Sequence, residues 1–131
     1  MPTQFEDFLQ AAKQYQTIPL TDYFFLDMMT PIQIFQRLKD NACFLLESKD
    51  DASPWSRYSF IGVDPQLILR EEGNRFVTKD RQNQVVVDKE HFRDALNETI
   101  RLLNPQPTEI PLPFYGGGVG YISYDGISEF D

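Results

Sequence analysis

Cysteine is almost missing from this 131-residue chain. Cys43 stands alone, so no internal disulfide can form. Histidine is equally scarce, with His91 the sole example, and no Cys/His spacing of a zinc site exists. Cys43 lies in an apolar run and is expected to be a small buried hydrophobe, because His91 falls in a separate helical pattern and offers it no base. Positive charge is also short: 12 Lys and Arg face 20 Asp and Glu, for a net charge of −8. Nucleic acid is bound through clustered cations, so it is excluded as the expected partner. An acidic balance is the ordinary face of a soluble cytoplasmic protein. No apolar run approaches the roughly 18 residues that cross a bilayer, and the N-terminus lacks a basic region followed by an apolar one. The expectation is a cytoplasmic chain with no membrane contact.

What is present is a globular composition. Aromatic residues make up 14% of the chain, well away from a disordered bias. The length suits one domain, able to bury roughly two thirds of the surface its unfolded chain exposes.

Thr3 and Glu6 have the spacing of a capping box, with Phe5, Phe8, Leu9 and Ala12 on one face, which predicts a helix over about 4–15. "TIPLTDYFFLD" reads as extended, with Pro19 near a sheet edge. In "TPIQIFQRLKDN", Thr30 caps a helix, Pro31 takes its first position, Gln33 completes a second capping box and Asn41 stops it. From Ala42 the pattern turns to strands: "ACFLLES", "RYSFIGV", "QLILREE", "RFVTK" and "QVVVD", with Gly73-Asn74 and "DRQN" as turns. Asp88 is then expected to cap a helix carrying Phe92, Ala95, Leu96, Ile100 and Leu103 on one face. "NPQPTEIPLP" reads as a surface connection and "FYGGGVGYISYD" as a glycine-rich strand. No repeat is visible. The order predicts an α+β fold with a mainly antiparallel sheet and flanking helices.

Several tempting motifs dissolve on inspection. "GGGVG" lacks the third glycine of a dinucleotide fingerprint, which would fall on Tyr121, and the Gly-Lys-Ser/Thr of a phosphate loop. A bulge or close backbone packing accounts for it better. Asp50-Asp51 and Glu71-Glu72 are adjacent pairs whose side chains point apart. No catalytic constellation and no metal cluster emerges.

"FLLESKDDASPWSRYSFIG" is different, because varied polar groups converge on the ends of two strands. If the strands pair across the loop, Glu47 and Ser48 end one close to Ser56, Arg57 and Tyr58 at the start of the other. That set offers a carboxylate for a cation, a fork of N–H donors for an anion, hydroxyls and a ring face. An aromatic amino acid is complementary to it. A salt-bridged hairpin end, with Arg57 paired to Asp50 or Glu47, suits the same residues, and spacing does not separate the two.

From Thr17 to Asp125 the chain resembles the N-terminal segment of anthranilate synthase component I, a chorismate-utilising enzyme. "LLESKDDASPWSRYSFIG", "TIPLTDYFFLDMMTPIQIFQRLKD" and "PFYGGGVGYISYD" carry the likeness. Aminodeoxychorismate synthase component I shares the last run and a looser form of the first. The complete first run favours anthranilate synthase, and a non-enzymatic interaction module is the alternative from another class. The resemblance implies an allosteric pocket for L-tryptophan lined by Glu47, Ser48, Ser56, Arg57 and Tyr58, with Trp55 a neighbour. It implies part of a layered α/β/β/α sandwich, and a glutamine amidotransferase component as partner. Chorismate, magnesium and the lyase chemistry belong to a C-terminal part that this chain lacks. The chain alone is thus expected to hold no catalytic residue and no cofactor. With its vacated face in water, it is expected to pair as a homodimer.

Overall fold

Residues 4–47, 58–107 and 117–123 are described by the structure, a computed structural model. They form three helices, α1 (Phe5–Ala11), α2 (Pro31–Arg37) and α3 (Phe92–Leu103). Five strands accompany them: β1 (Ala42–Leu46), β2 (Phe60–Val63), β3 (Ile68–Glu72), β4 (Arg75–Lys79) and β5 (Val85–Lys89). The strands pair as two antiparallel sheets, β1-β2 and β3-β4-β5. This is the expected α+β class. Contacts divide the chain into two units. One falls within Met1–Asp22, Gln66–Thr108 and Gly120–Asp131, the other within Tyr23–Pro65 and Glu109–Val119.

In the first unit, β3 and β4 are joined by Gly73-Asn74, with Glu72 directly opposite Arg75. Gly73 has φ +64°, the left-handed conformation that a two-residue hairpin turn asks of its first central residue. The next turn is held by Asp80, whose Oδ1 accepts from the backbone N–H of Gln82 and Gln84 at 3.0 and 2.9 Å. α3 packs across all three strands, and its core contains Phe76, Val87 and Ala95 with Leu69 and Phe92 against them. Phe76 and Phe92 meet edge to face at 5.8 Å.

The buried stripe of α3 differs from the expected one. Ala95 and Thr99 are buried, whereas Leu96 and Ile100 are exposed. Burial of a hydroxyl is tolerable here because Thr78 of β4 meets it, Oγ1 to Oγ1 at 2.7 Å, and Thr99 also donates to the Ala95 carbonyl at 2.7 Å. Asp88 does not cap α3 as expected. It lies in β5, and Arg75 Nε donates to its Oδ1 at 2.6 Å across the sheet, a diagonal pair on one face. His91 precedes the helix instead. Asp88 also holds the Arg75 guanidinium above its ordinary pKa, by its hydrogen bond first and its charge second.

α3 ends on Asn104, a non-glycine residue in the left-handed region (φ 37°, ψ 63°). Its Nδ2 donates to the Gln14 carbonyl at 3.0 Å, its own carbonyl accepts from Gln16 at 3.2 Å, and Gln106 donates to Thr17 at 2.9 Å. The chain leaving α1 is therefore stitched to the end of α3. α1 itself starts after Gln4 and continues as turns to Tyr15, with Ala11, not Phe5 or Leu9, as its buried residue. Thr3 lies outside the described residues. Pro19 stands in no ladder, and the bridge near it joins Thr17 to Pro105.

In the second unit, the capping box of α2 is complete. Gln33 N–H donates to Thr30 Oγ1 at 3.3 Å, Thr30 N–H donates to Gln33 Oε1 at 2.9 Å, and Pro31 follows the cap. Turns through Asn41 lead into β1, against which α2 rests. Cys43 is exposed, contrary to expectation, because it falls at the irregularity between Ala42 and Phe44, where it has no ladder partner. Its Sγ lies 3.3 Å from the Gly62 carbonyl.

The glycine-rich stretch also departs from expectation. Its described residues, 117–123, form no strand. Gly117 has φ +110°, and a Cβ built on Gly118 or Gly120 would meet no atom within 4 Å. Their use as close-packing glycines is not realised among these residues, which have no ladder partner.

Candidate functional site at the open end of the first hairpin

The β1-β2 ladder runs Phe44↔Gly62, Leu45↔Ile61 and Leu46↔Phe60, after an irregularity between Ala42 and Phe44. Phe44 lies over Gly62 so closely that a Cβ there would overlap its ring, with Cδ1 at 2.6 Å. Only a missing side chain at this position lets the Phe44 ring lie across the neighbouring strand. The contact fixes which residues emerge together at the open end.

One step past Leu46↔Phe60, Glu47 faces Ser59. The Ser59 hydroxyl donates to Glu47 Oε1 at 3.5 Å. Glu47 and Ser59 are both exposed, and Tyr58 is half-buried. Tyr58 belongs to the other face: its ring is tilted against Phe60, the next residue but one, with centroids 6.2 Å apart. Of the residues expected at the site, the structure thus describes Glu47 and Tyr58. It joins Glu47 to Ser59, not to Tyr58. Ser48, Trp55, Ser56 and Arg57 lie outside the described residues. Ser59 was missed by the sequence reading, although strand alternation, counted back from Phe60 once the register is known, finds it.

Chemically, the pair presents an acceptor-only carboxylate with one lone pair engaged by a hydroxyl, suited to a cationic donor such as an ammonium. Two shallow hollows elsewhere contain none of the expected residues. Met28, Met29, Gln33, Gln36 and Arg37 line one, and Gln16, Arg101, Leu102 and Asn104 the other. Arg101 is not a free anion binder, because its Nε donates to Glu98 Oε2 at 3.0 Å and its Nη2 to Oε1. This pairing lowers the Glu98 pKa below the ordinary carboxylate value. Among the described residues, no three His, Cys, Asp or Glu side chains gather as metal ligands. No described helix is long and apolar enough to cross a membrane.

No family model matches the chain, and no solved structure does. Among curated proteins, it is 44% identical over 125 residues to anthranilate synthase component 1 of Geobacillus stearothermophilus, an alignment covering 95% of the chain and 25% of that protein. Identity to the component 1 of Bacillus subtilis (strain 168) is 41% over 120 residues, 92% of the chain and 23% of the relative. That of Acetivibrio thermocellus is 33% identical over 128 residues, with 92% and 24% covered. The chain spans about a quarter of the length of the curated relatives it matches. Along nearly its whole length, the chain is related to anthranilate synthase component 1, the family its Leu-Leu-Glu-Ser and Gly-Gly-Gly-Val-Gly runs resemble.

Proposed function

We propose that this chain is the N-terminal, tryptophan-sensing part of an anthranilate synthase component I and is not catalytic by itself. The observation that carries the reading is the match of 92–95% of the chain to about a quarter of three proteins of that name. Those names favour it over aminodeoxychorismate synthase. On this reading, conversion of chorismate to anthranilate, with magnesium, is the work of the remaining three quarters of such a protein, acting with a glutamine amidotransferase component. No step of that chemistry is routed through the residues of this chain.

Glu47 supplies the charge that an amino-acid effector needs, facing its ammonium from the open end of the β1-β2 ladder. Ser48, Ser56 and Arg57 complete the proposed site, with Arg57 for the carboxylate, and Tyr58 borders it from the Phe60 face of the strand. Feedback inhibition then requires that tryptophan bind the inhibited state more tightly than the active one. The test is the tryptophan concentration that halves the rate of the full-length enzyme carrying this segment. Glu47→Ala or Ser48→Ala removes a hydrogen bond to a charged group, worth about 1.5–3 kcal/mol. The half-inhibitory concentration is expected to rise about ten- to hundredfold, relative to each variant's own uninhibited rate. Inhibition curves that overlay the parent's would overturn the reading.

A further inference from the structure

We infer that Ser59 is a positioning residue for this site: it orients the Glu47 carboxylate toward the ammonium of a bound amino acid. The inference rests on the effector reading above and adds a residue that the motif resemblance does not nominate. The register places the two residues opposite each other, one step beyond Leu46↔Phe60, and the hydroxyl lies 3.5 Å from Oε1.

That distance is at the outer edge of a hydrogen bond, so the hydroxyl steers the carboxylate without locking it. An ionised carboxylate has about four lone-pair sites on two oxygens. One serine leaves Oε2 and part of Oε1 for the ligand. Glutamate on an exposed strand end otherwise samples several rotamers, and a ligand that fixes one loses affinity for doing so. A neighbour that already favours one rotamer removes part of that loss. The frame that holds the neighbour in place is the Phe44–Gly62 contact, two residues further along β2 than Phe60. Tyr58 cannot take this role, since it shares the Phe60 face.

The experiment measures the dissociation constant of L-tryptophan on the full-length enzyme by equilibrium dialysis. Ser59→Ala is expected to raise it about three- to tenfold, the weight of one modest hydrogen bond. Ser59→Thr, which keeps the hydroxyl, is expected to restore it. In a Glu47→Ala background, Ser59→Ala is expected to change nothing, because its partner has gone. If Glu47→Ala itself leaves binding unchanged, the effector reading fails. If Glu47→Ala weakens binding while Ser59→Ala does not, the positioning role alone fails. Equal loss from Ser59→Ala in both backgrounds, unrelieved by threonine, would mark a merely structural residue and overturn the inference.

Discussion

Removing the buried hydroxyls of Thr78 and Thr99 one at a time should have unequal costs, although both changes to valine preserve shape. Thr78 is fully buried and Thr99 is 8% exposed. Thr99 has one hydroxyl proton, and it points to the Ala95 carbonyl. Thr78 must therefore be the donor of the 2.7 Å bond between the hydroxyls. Thr78→Val leaves Thr99 still donating and lacking only a second bond, at a cost of about 0–1 kcal/mol. Thr99→Val leaves the Thr78 O–H buried and unpaired, at about 1–3 kcal/mol. Propensity does not confuse the comparison, because Val and Thr are close in helices and both favour strands. The double variant should return to near the parent, since an apolar pair of the same shape has nothing left unsatisfied. Urea unfolding with a slope of about 1–3 kcal/mol per molar would then place the Thr99→Val midpoint roughly 1 M low. A midpoint for Thr78→Val as low as that of Thr99→Val, or strictly additive effects in the double variant, would refute the donor assignment.

Two further outcomes follow from single contacts. Gly62→Ala should lower the unfolding free energy by about 1 kcal/mol net, read by urea unfolding, because crowding of the Phe44 ring outweighs the gain from leaving glycine out of a strand. The same change made with Phe44→Ala should be neutral or stabilising, and an equal cost in both backgrounds would sink the steric argument. Thr30→Ala should cost about 1 kcal/mol and Thr30→Asp much less, read by urea unfolding; equal midpoints for the two would deny the cap its role.

Features set by near neighbours in sequence were legible. The Thr30–Gln33 box needs only residues three apart, and the Gly73 turn needs only one residue able to adopt positive φ. At the candidate site, what was legible is the place of Glu47 just past the end of β1. What failed depends on pairing. Asp88 looks like a cap by residue type, but its partner Arg75 is 13 positions away and is chosen by strand register. Thr99 looks like a surface residue until Thr78, 21 positions away, is placed beneath it. Cys43 sits in an apolar run that reads as buried throughout, yet it falls at an irregularity of the β1-β2 ladder that only the pairing reveals. Ser59 was overlooked for the same reason, since facing Glu47 is a property of the β1-β2 register and not of either residue.

The stitch between Gln14 and Asn104 has a kinetic consequence. Its partners are 90 residues apart, and the Tyr23–Pro65 part of the second unit lies between them in the sequence. Closing a flexible loop of that length costs about 4 kcal/mol beyond a constant, by the logarithmic dependence on length. Adjacent hairpins such as β3-β4-β5 close much shorter loops and can form early, with α3 following as a near neighbour. Docking of the segment after α1 has to wait until Asn104 has taken its left-handed turn at the end of α3. During synthesis the segment after α1 thus waits for a partner made 90 residues later.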